Sequence, residues 1–274
     1  MPGRIFLANV GANAAHPFAS PIFSDGAFEV LPIPEAWNLP GDSLVRYGML
    51  RSFYRPEDDL RQYLPRRWWD WPCHADPEFY TYTYGDDCQT APRAAALRAM
   101  APGDYIFFIV RLVERRGERA RGIAGFYFIG YLEVAEVLAS VAARPAAEEM
   151  ARFGSNAHIR RALADELLWN RFWVFKGSAQ SRRFQRAVPV TQTLARRIFR
   201  TAAGGAWQWD GKRSVLQTIG SYTRSCRCII DSAQPDGAER AADLWEAVAA
   251  SAGPGAVPTL RPLGKPLPGT PGPT

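Results

Sequence analysis

The chain has 274 residues, 47% of them hydrophobic and 12% aromatic, enough to bury a substantial core in one large domain or two small ones. The apolar runs "YIFFIV" and "FYFIGYLEV" fall short of the ~18 residues of a membrane span, and "MPGRIFLANVGANAAHPF" makes a poor signal peptide, so a cytoplasmic, membrane-free protein is expected. The net charge of +6 is unevenly distributed: residues 1–150 sum to −4, residues 151–230 to +12 and the remainder to −2.

In chain order, "RIFLANV" (Arg4 to Val10) predicts a first strand. Asp25-Gly26 then signals a hairpin between "PIF" and "AFEVLPI", and Pro32 and Pro34 confine the second strand to an edge. The segment from Arg55 to Trp71 is a loop or short helix ending in the tryptophan-rich "WWDWP". Tyr80, Tyr82 and Tyr84 alternate and share one face if that segment is extended. "APRAAALRAM" predicts a short helix closed by Pro102-Gly103. "DYIFFIVRLVERR" and "GIAGFYFIGYLEVAEV" predict an antiparallel pair near the sheet centre.

Helices are expected over "AEVLASVAARPAAEEMARF", "NAHIRRALADELLWN" and "TQTLARRIFRTA", with "RFWVFKG" and "AVPV" extended. "SVLQTIGSYTRSCRCIID" mixes a turn with a strand. The whole predicts a single α+β domain over residues 1–235, with five to seven mostly antiparallel strands in a curled or barrel-like sheet and helices packed on it. A C-terminal helix follows at 236–251, then a Pro/Gly-rich tail at 252–274 whose composition predicts disorder.

Charge segregation of this size points to a polyanionic partner, DNA or a nucleotide, and nearly all of the cations are arginine. In "FWVFKGSAQSRRFQRAVPV", Lys176, Ser181, Arg182, Arg183 and Arg186 follow a strand into a turn, where small residues let backbone approach a phosphate. Gln217, Tyr222 and Arg224 cluster about Gly220, with Arg224 a further phosphate ligand. Asn13 and Asp25 follow the first strand and could line a site, although both also favour turns. Tyr84, Asp86 and Arg93 could stack and hold a base, or form a half-buried strand with a capped helix behind it. In "SNAHIRR", Ser155 or Asn156 caps a helix and sets His158 in its first turn, which makes His158, with Asp86, the acid/base candidate.

Phosphate-loop spacing is absent. The histidines are only His16, His74 and His158, so no metal site is expected and the sequence names no cofactor. Cys73, Cys88, Cys226 and Cys228 read as reduced thiols, and the C-x-C pair would share one face of a strand.

The order "SPIFSDGAFEVLPIPE", "TYGD", "PGDYIFF", "GFYFIGYLEV", "NAHIRR", "FWVFKG", "SRRF" and "IGSYTR" resembles the third nucleotide modification associated domain family, from about Arg4 to Arg227. The resemblance implies a role with systems that install or act on modified DNA bases in bacteria and phages. By fold-level analogy the strand pair is similar to that of compact PUA/ASCH-like barrels that hold a flipped base. Three readings follow: an enzyme acting on a base, a reader binding a modified base without chemistry, and an interaction module with its basic residues dispersed.

Overall fold

The computed structural model describes residues 3–36, 38–116, 119–200, 204, 205, 207 and 226–257. The region carrying Gln217, Tyr222 and Arg224, and the tail from 258 onward, lie outside the described residues. The strands are β1 (Ile5–Asn9), β2 (Ser20–Ile22), β3 (Ile33–Pro34), β4 (Cys73–His74), β5 (Thr83–Asp86), β6 (Tyr105–Arg116), β7 (Arg119–Val141), β8 (Phe172–Gly177), β9 (Arg182–Pro189) and β10 (Arg227–Ile230). The α-helices are α1 (Ala147–Phe153), α2 (Ala157–Ala164), α3 (Gln192–Ile198) and α4 (Gly237–Ser251). None of the described helices is long and apolar enough to cross a membrane.

Strand β6 is apolar on both faces, and such a strand must be covered on both sides. Ile106, Phe107, Phe108, Ile109, Val110 and Leu112 are accordingly all buried. The ladder around it runs β10-β1-β6-β7-β8-β5, with β2 also on β6 and β9 also on β7. Strands β1 and β2 lie parallel to successive stretches of β6, and the remaining pairs are antiparallel. This is an α+β architecture, with more strands than the five to seven expected because short ones such as β2 and β5 join the main sheet.

The backbone ladder is open, so the sheet does not form the closed barrel expected as one alternative, although contacts link β5 and the helix after it to the residue preceding β10. Tyr84 Oη on β5 lies 3.6 Å from the Sγ of Cys226, one residue before β10, and the Cys226 N–H donates to the Arg93 carbonyl at 2.7 Å. Cys226 is buried while Cys228 is exposed, so the two thiols do not share a face, because Cys226 precedes the strand.

Two more expectations need correction. Residues 135–141, expected as the start of a helix, are strand. Val134, Val137, Leu138 and Val141 fall at helical spacing, but Val137 and Leu138 pair with Phe175 and Val174 of β8. Shifts of register leave Ala135 unpaired and follow Leu138, and Ser140 has φ of 52°, so the strand turns its apolar residues inward despite the spacing. The alternating tyrosines do not share a face: Tyr82 sits at φ 53°, β5 begins only at Thr83, and Tyr80 is 72% exposed while Tyr84 is buried. "APRAAALRAM" forms the short helix expected, a 3-10 helix over Pro92–Ala99.

The main core packs α3 and α4 on the sheet around Phe107, Phe128, Tyr131 and Trp245, whose rings meet edge-on or stacked. A second cluster gathers Phe18, Leu31, Tyr47 and Cys73 beneath the tryptophan-rich loop. A third joins α1 and α2 to β8 through Phe153, Ile159, Phe172 and Val174. The candidate site lies where residues flanking the second and third clusters meet.

Strand β7 crosses β9 at Gly130, where a Cβ would come within 2.4 Å of the Arg182 carbonyl oxygen. Gly130→Ala is expected to destabilise the fold by about 1–3 kcal/mol, because neither backbone can move aside cheaply. Denaturant unfolding of the two proteins measures it, and an unchanged midpoint would mean that this crossing is loosely packed.

Candidate functional site

Helix α2 begins at Asn156, whose Oδ1 accepts from the His158 N–H at 3.0 Å. This is the cap expected from "SNAHIRR", and it fixes His158 in the first turn. The other end of the same amide donates to Asp76 Oδ2 at 3.2 Å and reaches Thr83 Oγ1 at 3.4 Å. Asp76 Oδ2 also accepts from the Gly85 N–H at 2.8 Å. Gly85 is required by proximity, since a Cβ there would stand 2.7 Å from both Asn156 Oδ1 and His158 Cδ2.

The small β3–β4 ribbon delivers the rest. It pairs Ile33 with His74 and Pro34 with Cys73, which places Glu35 beside His74. Glu35 Oε1 lies 2.8 Å from His74 Nδ1. The His74 and His158 rings meet edge-on with centroids 4.6 Å apart, and His158 packs on Phe172 from behind. Asp87 Oδ1 lies 3.5 Å from His158 Nδ1 and accepts from Arg161 Nη2 at 2.9 Å. His74, Asp76 and His158 each offer a ligand-type atom, all within 4.8 Å of one another.

The charges in this cluster follow from burial. Burial pushes Asp76 up to about 7, against the pull of the His74 charge and the Gly85 and Asn156 donors. Burial likewise drives His158 down to about 4, and its contact with Asp87 does not offset this. For His74 burial acts downward too, but the hydrogen bond and charge of Glu35, with Asp76, outweigh it and raise the imidazole. Glu35 moves the opposite way: burial favours its neutral form, and His74 overcomes this to hold it below the usual carboxylate range. Asp87 is also held low, burial being outweighed by His158 and Arg161. The cluster therefore sets His158, shifted toward its neutral form, against His74 and Glu35, each shifted toward its charged form.

Asp86, on the neighbouring stretch of β5, has a structural environment. Arg93 grips its carboxylate with both terminal nitrogens, at 3.0 and 2.7 Å, and Tyr84 Oη donates to it at 3.0 Å. Tyr84, Asp86, Arg93 and His158 nonetheless line one cavity of about 210 Å³ with Glu35 and Asp76. A second, largely apolar cavity of about 250 Å³ shares Glu35 and Asp76 with it. At the second cavity's rim Phe53 and Tyr80 stack at 4.8 Å, and the Arg183 guanidinium lies 4.3 Å over the Phe53 ring.

The remaining candidates lie elsewhere. Asn13 closes a turn with His16, and Asp25 accepts from Tyr54 Oη at 2.7 Å in a separate surface hollow. Lys176 donates to the Thr81 carbonyl, and the buried Ser181 Oγ accepts from the Glu133 N–H. Arg182 bonds the carbonyls of Ala179, Ser181 and Gly255, while Arg186 is exposed beside Gly26. Arg183 is packed between Phe28 and Phe53 and donates to the Phe28 carbonyl.

Among the described residues of the +12 segment, Arg152, Arg161, Arg183, Arg197 and Arg200 meet Glu136, Asp87, Glu29, Asp243 and Asp236, acids that come from outside that segment. Sequence reasoning missed Glu35, His74, Asp76 and Asp87 as members of the site. The His-x-Asp spacing in "CHADP" was the available signal, and only the fold sets it against "NAHIRR".

Asn156→Ala is expected to lower stability by about 2 kcal/mol, roughly half from the lost cap and half from the lost Asp76 donor. Asn156→Ser keeps the cap without reaching Asp76, so its loss should be about half as large. Equal losses in denaturant melts would show that the Asp76 contact contributes nothing.

The family model described as nucleotide modification associated domain 3 matches residues 4–211, which include every member of the cluster. It stops short of Gln217, Tyr222 and Arg224. No curated protein and no solved structure matches the chain.

Proposed function

Because the chain belongs to the nucleotide modification associated domain 3 family, we propose that it acts on a DNA base, received singly in the apolar cavity that adjoins Asp76. The observation that supports this reading is the junction of two unlike spaces. An apolar hollow of about 250 Å³ with an aromatic rim shares Asp76 and Glu35 with the polar cluster around His74 and His158.

The hollow lies just under the ~300–1,000 Å³ common for small-molecule sites, which suits one base rather than a dinucleotide. A planar ring can stack on the exposed Phe53–Tyr80 pair, whose geometry is already parallel. Arg183, held over Phe53, adds a cation beside that ring. A duplex base would have to leave its stack to enter, as in other proteins that do chemistry on bases.

The cluster beyond supports chemistry over simple binding. An apolar slot with stacking rings would suffice for a reader, whereas buried ionisable groups are costly to maintain and gather where reactions need them. His158 keeps its proposed place facing the reacting atom, joined by His74 and Asp76. Asp86 becomes a brace for Arg93 and Tyr84 in the adjoining wall. The arginines beyond residue 180 are spent largely on the protein's own carbonyls and acids, so they give less support to phosphate binding than the sequence did.

Two measurements test this. Nucleoside mass spectrometry of DNA from cells with and without the gene should show a base species that disappears on deletion and with His158→Ala; identical profiles would refute the enzymatic reading. Tyr80→Ala, at an exposed position, should weaken nucleoside binding by about 1–3 kcal/mol, on the order of tenfold to a hundredfold in Kd. Unchanged affinity would remove the base from this cavity.

A further inference from the structure

We infer that His74, Asp76 and His158 form a binding site for one divalent transition-metal ion. Two imidazoles and a carboxylate stand with ligand atoms within 4.8 Å of one another. That composition, with open positions left over, is a recognised mononuclear metal set. At bond angles of about 90–120°, metal–ligand bonds of ~2.1 Å set the donor atoms about 3.0–3.6 Å apart, so binding requires the widest pair to draw in by roughly 1–2 Å.

Independent signs come from hydrogen-bond accounting. The Asp76 side chain is 2% exposed and its Oδ1 has no hydrogen-bond partner. The His158 side chain is 4% exposed, and its Nδ1 has only the long 3.5 Å contact with Asp87 Oδ1. Buried polar atoms of this kind are rare in native proteins and call for an explanation. A cation answers for the Asp76 oxygen, which otherwise has no polar partner in a poorly solvated space.

The supporting shell also fits. Glu35 engages His74 Nδ1 at 2.8 Å, the carboxylate–imidazole contact that fixes ring orientation and frees the other nitrogen. That other nitrogen, Nε2, lies 3.9 Å from Asp76 Oδ2. Asp76 is itself held by Gly85 N–H and Asn156 Nδ2. Asp87, near His158 Nδ1, is paired with Arg161. Two nitrogen ligands of three favour a transition ion over Mg²⁺ or Ca²⁺, which prefer oxygen. Asp76 borders both cavities, so the remaining coordination positions are accessible from the substrate side.

This inference does not depend on the base-binding proposal and is tested without any nucleotide. The full chain, with any purification tag removed and chelator dialysed away, is titrated with Co²⁺ and Zn²⁺ by calorimetry and, for Co²⁺, visible absorption. One equivalent should bind saturably, with Mg²⁺ far weaker. His158→Ala should abolish that binding, and Glu35→Gln, a positioning change that preserves shape, should weaken it about 10–100-fold. Circular dichroism melts without metal check that each variant is folded, and Glu35→Gln decides the matter should His158→Ala not fold. Absence of saturable Co²⁺ binding in the unmodified chain, or binding unchanged in the folded variants, overturns the site. Tyr80→Ala should bind Co²⁺ normally, which separates a failure here from a failure of the base cavity.

Discussion

One buried side-chain amide holds the candidate site together. Asn156 is fully buried, and its carbonyl oxygen closes the start of α2 while its NH₂ reaches Asp76 and Thr83. A helix, a strand and an irregular loop are thereby tied at one point. Buried amides are expensive unless fully satisfied, and a satisfied one permits a single arrangement of its neighbours. The edge-on contact of the two histidines and the position of Asp76 both follow from it.

The uneven charge of the chain has a different meaning once folded. Acids from the first 150 residues and from α4 are carried by the topology to the arginines of the middle segment. Arg161 finds Asp87, Arg152 finds Glu136 and Arg197 finds Asp243. A sequence with one sign in each stretch suits pairing between stretches as readily as attraction of a foreign polyanion. Most of these pairs are partly exposed, so each contributes little to stability, but together they engage a share of the positive charge within the protein itself.

What could be read beforehand depended on range. The β6–β7 pair was legible because a continuous apolar run has few other fates, and the α2 cap because its signal is contained in adjacent residues. Residues 135–141 were expected as helix, and only their pairing with β8 makes them strand. His158 was identified as a candidate, whereas His74 and Asp76 were not, since their partnership with it spans some eighty residues of chain. The family likeness was legible from short motifs and is shown over residues 4–211.

Strand β7 serves two neighbourhoods in succession, first β6 and β9 at the core, then β8 beneath the third cluster. Side chains alternate along a strand, so the unpaired Ala135 between these stretches acts as a phase shift. It decides which residues of the second stretch point toward α1 and α2 and which point away. Losing or gaining one residue there would invert that half while leaving the first half in step. The apolar residues that β7 offers to the cluster beneath α1 and α2, Leu138 and Val141, are thus chosen by counting along a strand that contributes no residue to the site.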